Sequence, residues 1–118
     1  MITAARARVE NLTAEQVATE QQAALLVDLR EADEIAREGT ISGAVHVPRG
    51  LLEFVADPTS PAHRAEFLPA RRVILYCASG GRSALAAAML QELGYGRVAH
   101  LDGGFKAWKD QGRPIEGK

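Results

Sequence analysis

The chain of 118 residues contains one cysteine, Cys77. That scarcity excludes an internal disulfide, and a single unpaired thiol reads as a reduced one, so a cytoplasmic location is the expectation. Long apolar runs are missing as well. None approaches the ~20 residues of a membrane span, and the opening stretch MITAARARVENLTAEQ has no apolar core of the kind a secretory leader needs. Charge of one sign is not in excess: 14 Lys and Arg stand against 15 Asp and Glu, for a net charge of -1. Neither a nucleic-acid surface nor a polybasic membrane patch is therefore expected. The three histidines, His46, His63 and His100, are scattered and match no metal-ligand spacing with the lone cysteine. No internal repeat and no low-complexity tail is visible.

What is present is ordinary for a globular protein. Apolar residues make up 47% and charged residues 25%, and the length supports one domain over residues 1–118 with a hydrophobic core that needs no staple. Short apolar runs of strand type occur at Ala24–Leu29 (ALLVDL), Ala44–Pro48 (AVHVP), Arg72–Cys77 (RVILYC) and Arg97–Leu101 (RVAHL), with a weaker edge-strand signal at Ala7–Asn11. Helix signals lie between them. Thr13 and Gln16 form a capping box that opens Ala14–Gln21, and Glu31–Glu38 ends at Gly39. Leu51–Asp57 stops at Pro58, Arg82–Leu93 is closed by Gly94, and Phe105–Gln111 stops at Gly112. Strands alternating with helices predict an α/β fold with a mostly parallel sheet covered on both faces. The segment Asp57–Arg72, with three prolines, reads as an irregular connection with room for one short helix.

Cys77 ends the strongest strand signal, and the loop Cys77-Ala78-Ser79-Gly80-Gly81-Arg82-Ser83 runs from it straight into the clearest helix. In an open parallel sheet, ligands bind beyond the carboxyl ends of the strands. Small residues let the backbone curl so that several N–H groups face one bowl, reinforced by the positive end of the helix. A thiol in such a bowl is favoured as thiolate, the reactive form. Arg82 adds a permanent charge and a planar fork suited to a small oxyanion. Cysteine-dependent phosphatases use a similar loop with one more residue between cysteine and arginine. The shorter loop here closes a tighter bowl, better matched to a single sulfur atom on the cysteine.

Three blocks, in order, carry a resemblance. VDLREADEIAREGTISGAVHVP supplies Asp28, Arg30, Glu34, Gly39, Ile41, Gly43, Ala44 and Pro48. YCASGGRS supplies the loop from Cys77 through Arg82. LDGGFKAWKDQGRP supplies Gly103, Gly104, Phe105, Trp108, Gly112 and Pro114. Together they resemble the signatures of the single-domain rhodanese family of sulfurtransferases, over a core of about residues 9–116. Thr40 departs from the pattern, since many members have histidine there, and the position is expected to be structural. Arg49–Leu68 is longer than in compact members.

The resemblance implies a central, mostly parallel sheet of four to five strands with helices on both faces, and a two-step reaction. Cys77 would take the sulfane sulfur of a donor such as thiosulfate and become a persulfide, then give the sulfur to cyanide or a thiol. The loop Ala78, Ser79, Gly80, Gly81, Arg82 and Ser83 would hold the persulfide, with Arg82 assisting the anionic donor. The implied partners are a small sulfur-containing anion, a thiol acceptor, and a protein that supplies or takes sulfur. No metal or organic cofactor is called for. The rivals are a persulfide carrier or interaction module that does not turn over small donors and, more weakly, a phosphatase or arsenate reductase of the same architecture.

The remaining polar residues carry blander expectations. Asp28, Arg30 and Glu34 read as bracing ion pairs, with Arg30 and Glu34 at the i,i+4 spacing of a helix surface. Arg49, just past a strand end, is a candidate for touching the donor. His46 and His100 are expected to be packed and hydrogen-bonded, and His63 exposed. Ser83 either reaches the sulfur or caps the helix. Phe105 and Trp108 read as core.

Overall fold

A computed structural model describes residues 1–117. Its centre is a five-stranded, all-parallel sheet built from β1 (Glu10–Leu12), β2 (Leu25–Asp28), β4 (Val45–His46), β5 (Val73–Tyr76) and β6 (Val98–Leu101), in the order β1-β6-β5-β2-β4. The two central strands, β5 and β2, are wholly buried. Their alternating side chains feed two cores. Leu25, Val27, Val73 and Leu75 face a layer made by α1 (Ile2–Arg8), α4 (Leu52–Ala56) and α5 (Gly81–Glu92). Leu26, Ile74 and Tyr76 face the other layer, with Val17 of α2 (Ala14–Glu20) and Phe105 and Trp108 of α6 (Gly104–Asp110). Continuous apolar runs rather than alternating ones are what a sheet covered on both faces demands.

The helices form where the local signals put them. At the start of α2, Gln16 N–H donates to Thr13 Oγ1 at 3.1 Å and Thr13 N–H to Gln16 Oε1 at 2.8 Å, a complete capping box. In α5 the buried face is Ala84, Ala86, Ala87, Ala88 and Leu90. These small side chains let the helix lie close on the sheet and against α1. Among the described residues, no helix is long and apolar enough to cross a membrane.

Three elements differ from the sequence expectation. The edge-strand signal at 7–11 becomes helix α1 through Arg8, with β1 starting at Glu10. Alanine and arginine are strong helix formers, and Ala5 and Val9 find a buried place in the α5 layer. Residues 57–72 form turns with no helix, and buried Phe67 pins them to the core. Thr40–Ile41 (β3) pairs antiparallel with Ile115–Glu116 (β7), two strands too short to show a period. The remaining helix, α3 (Ala32–Glu38), buries no residue fully. It lies over the carboxyl edge of the sheet, where all five strands end together.

Candidate active site

Cys77 leaves the end of β5, and its side chain is 1% exposed. Its Sγ accepts from the N–H groups of Gly80 at 3.2 Å and Ser83 at 3.4 Å, and lies 3.6 Å from Ser83 Oγ. Gly80 takes φ +109°, a left-handed conformation that L side chains avoid, and a Cβ there would crowd Arg6 Nη2 and Gly103 N. Two amide dipoles aimed at one sulfur stabilise negative charge on it.

The loop is clamped from the opposite side by the start of α6. Phe105 N–H donates to Cys77 O at 2.8 Å and Lys106 N–H to Ala78 O at 3.0 Å. That approach requires Gly104, because a Cβ there would come within 2.6 Å of both carbonyl oxygens, and its φ is +61°. A cavity of about 410 Å³ opens beside the clamp, lined by Ala78, Ser79, Phe105, Lys106 and Lys109 among others.

Arg82 sets the rim. Its Nη1 and Nη2 donate to Glu34 Oε1 and Oε2 at 2.8 and 3.0 Å, a bidentate pair. Glu34 Oε1 also accepts from Glu31 N–H at 2.9 Å, the first turn of α3. The Arg82 guanidinium holds the Glu34 carboxyl down at about 2.

Beneath the rim lies a second pair. Asp28 accepts from Arg30 N–H (3.0 Å), Nε (3.1 Å) and Nη2 (2.9 Å) and from Tyr76 OH (2.7 Å), and Thr40 Oγ1 donates to it at 2.8 Å. Arg30 Nη2 also donates to Gly39 O, and its guanidinium lies 4.0 Å over the Phe105 ring. Burial pushes the Asp28 carboxyl up, but the bonds from Arg30 and Tyr76 outweigh it and the carboxyl stays below its ordinary range. Burial and the Asp28 charge push the Tyr76 phenol up.

The family model described as Rhodanese-like domain matches residues 12–111. This chain belongs to the rhodanese-like domain family. A sulfurtransferase of Allochromatium vinosum is 43% identical over 91 residues, 77% of each chain. The thiosulfate sulfurtransferase GlpE of Pseudomonas fluorescens is 38% identical over 95 residues, 78% of this chain and 76% of that one. Among solved structures, a Rhodopseudomonas palustris protein of unknown function, named as a possible tyrosine phosphatase, superposes with a TM-score of 0.93. It is 40% identical and covers 98% of this chain and 90% of that one. The polysulfide-sulfur transferase homodimer of Wolinella succinogenes superposes with a TM-score of 0.77 at 28% identity, over 99% of this chain and 85% of that one.

Within this rhodanese-like domain several side chains have partners other than those expected. Glu34 pairs with Arg82, not Arg30, because α3 turns its first turn toward the loop while Arg30 points down into the sheet edge, where it is 1% exposed. The fork of Arg82 is thus already occupied. Arg49, in the 3-10 turn (Arg49–Leu51) that precedes α4, reaches Glu53 of α4 at 2.9 Å. Ser83 does not cap α5: the cap residue is Gly80, with no side-chain bond, and Ser83 Oγ lies 2.8 Å from His100 Nδ1. His46 is exposed rather than packed, although its Nε2 lies 2.7 Å from Arg30 O. His63 is half-buried, with Nε2 3.0 Å from Phe67 O. Thr40 joins the buried knot, touching Asp28 and Tyr76. The contact between Ser83 and His100, and the placing of Arg6 against Gly80, had no sequence signal. Both depend on elements far apart in the chain that meet only after folding.

Proposed function

We propose that this rhodanese-like domain is a sulfurtransferase that works through a Cys77 persulfide. The Cys77 thiolate attacks the outer sulfur of a donor such as thiosulfate. The new S–S bond forms as the bond to the sulfonate sulfur breaks, and sulfite leaves with that electron pair. A thiophilic acceptor, cyanide or a thiol, then takes the sulfane sulfur and returns the thiolate. The observation that carries this reading is the pair of loop amides, Gly80 and Ser83, aimed at Sγ. They stabilise negative charge at the atom that gains and loses sulfur. Ala78, Ser79, Gly81 and Arg82 complete the loop around it. The sulfurtransferase relatives support the reaction class. The cavity beside the loop carries Lys106 and Lys109 together with Glu38 and Asp110. Lys106 is paired with Asp110 at 2.8 Å, which leaves Lys109, among the described residues, as the cation there that could meet an anionic donor.

The test is an intact-mass measurement after brief incubation with thiosulfate and desalting, on wild type and Cys77→Ser, followed by cyanide. A gain of one sulfur on wild type alone, reversed by cyanide, is expected. No gain from thiosulfate, but loading from a protein persulfide, would make the domain a carrier. The name of the Rhodopseudomonas palustris neighbour keeps a phosphatase reading in play. Phosphate release from an aryl phosphate, dependent on Cys77, would replace sulfur transfer with it.

A further inference from the structure

A buried histidine that the sulfur chemistry does not use sits one residue from the nucleophile. Ser83 Oγ lies 3.6 Å from Cys77 Sγ and 2.8 Å from His100 Nδ1, and His100 Nε2 lies 2.7 Å from Asn11 Oδ1. The direction of this chain follows from its far end. Asn11 Nδ2 donates to the carbonyls of Arg6 and Val9 at 3.0 and 3.1 Å, which fixes the amide with its oxygen toward the imidazole. An amide oxygen only accepts, so Nε2 carries a proton. Burial, with Arg6 adding to it and Asp102 opposing it, lowers the His100 pKa and favours the neutral ring, so Nδ1 is bare. A bare Nδ1 takes the Ser83 hydroxyl proton. The other acceptor, Gly80 O, is farther away at 3.3 Å. Ser83 therefore presents lone pairs, not its proton, to Cys77.

Cys77, Ser83 and His100 are each 0–1% exposed, so the thiol proton has little access to bulk water. We propose that Ser83 and His100 are the internal proton acceptor of Cys77, with Ser83 touching the sulfur and His100 acting through it. The S–H bond breaks and its proton passes to Ser83 Oγ, as the Ser83 proton moves to His100 Nδ1. Thiol and neutral imidazole become thiolate and imidazolium, a neutral ion pair whose mutual attraction has to offset the burial that favours the uncharged ring, and no electron changes hands. The chain then runs in reverse, with His100 donating to Ser83 and Ser83 donating to the thiolate. The charges that face this pair are Arg6 from α1, Asp102 after β6, and Arg82 with Glu34 at the rim. Arg6 and Asp102 lie 3.6 Å apart and largely offset each other. The inference rests on Cys77 being the nucleophile, but not on sulfur being its substrate.

The experiment follows thiolate absorbance and Cys77 carboxymethylation by iodoacetate against pH, with Cys77→Ser as blank. Ser83→Ala and His100→Gln should each move thiolate formation upward by about one pH unit or more, the scale of one charge-assisted hydrogen bond. Ser83→Thr, which keeps the hydroxyl, should restore the wild-type profile. The Ser83→Ala/His100→Gln double variant should shift no further than either single one, because one chain is broken twice. A His100→Gln profile that superposes on wild type overturns the proposal. Should that variant fail to fold, imidazole NMR decides: the His100 titration should differ between wild type and Cys77→Ser, and identical curves overturn the proposal. No sulfur donor is present in either measurement. A protein that refuses thiosulfate yet keeps this pH behaviour would sink the transfer reading alone.

Discussion

Two arginine–carboxylate pairs stand a few residues apart at the carboxyl edge of the sheet, and they behave as different devices. Asp28–Arg30 is closed in, at 0% and 1% exposure, and every neighbour of Asp28 donates to it. Glu34–Arg82 has equally good bidentate geometry but remains 22% and 38% exposed beside the Cys77 loop. A buried pair cannot open without stranding a charge in a medium that solvates it poorly. A half-exposed pair can part at small cost, because water replaces each partner. The first therefore holds the floor of the site, stacking Arg30 on Phe105 of the helix that clamps the loop. The second stands over the loop with a cation that, in the proposed sulfur transfer, a donor anion would have to win from Glu34.

Breaking the floor should have the largest effect. Arg30→Met leaves Asp28 buried without its partner and should cost about 3–5 kcal/mol, read as a fall in the urea midpoint. A loss under about 1 kcal/mol would make the two pairs equivalent after all. Gly104→Ala comes next. Its Cβ would strike the Cys77 and Ala78 carbonyls, so the clamp must shift. A loss of about 1–3 kcal/mol is expected, with slower sulfur loading in stopped mass measurements.

The rim gives smaller numbers and a sharper contrast. Glu34→Gln should change stability by less than about 1 kcal/mol, while the freed Arg82 lowers the KM for thiosulfate. A raised KM would mean that the pair, not the free cation, is what the donor needs. The smallest effect is in pH. Glu34 is held at about 2 against an ordinary 4.5, so its contribution is complete above the ordinary value and lost as pH falls through that window. The urea stability gap between wild type and Glu34→Gln should stay flat from pH 7 down to about 5 and close below it. A gap that closed above pH 5 would contradict the pairing.

Much of the fold was legible because its signals are local. The capping box at Thr13 and Gln16, the apolar run of β5 and the alanine-rich α5 each state their conformation within a few residues. The loop around Cys77 was legible as a strand–turn–helix junction with two glycines. Legibility stopped where partners are distant in sequence. Glu34 is four residues from Arg30 and forty-eight from Arg82, and the nearer spacing suggested the wrong pair. Ser83 reads as either reaching the sulfur or capping the helix, and the fold sets its hydroxyl between Cys77 Sγ and the ring of His100, seventeen residues on.

The sequence by itself determined the layered α/β architecture and the strand-to-helix junction that carries Cys77. Both follow from hydrophobic period and from glycine, whose missing side chain is a local fact. Only the tertiary structure decided which arginine Glu34 pairs with, how deeply each pair is buried, and which side chain lies behind the sulfur. Burial and hydrogen-bond direction are properties of neighbours in space, and residue type alone does not specify them.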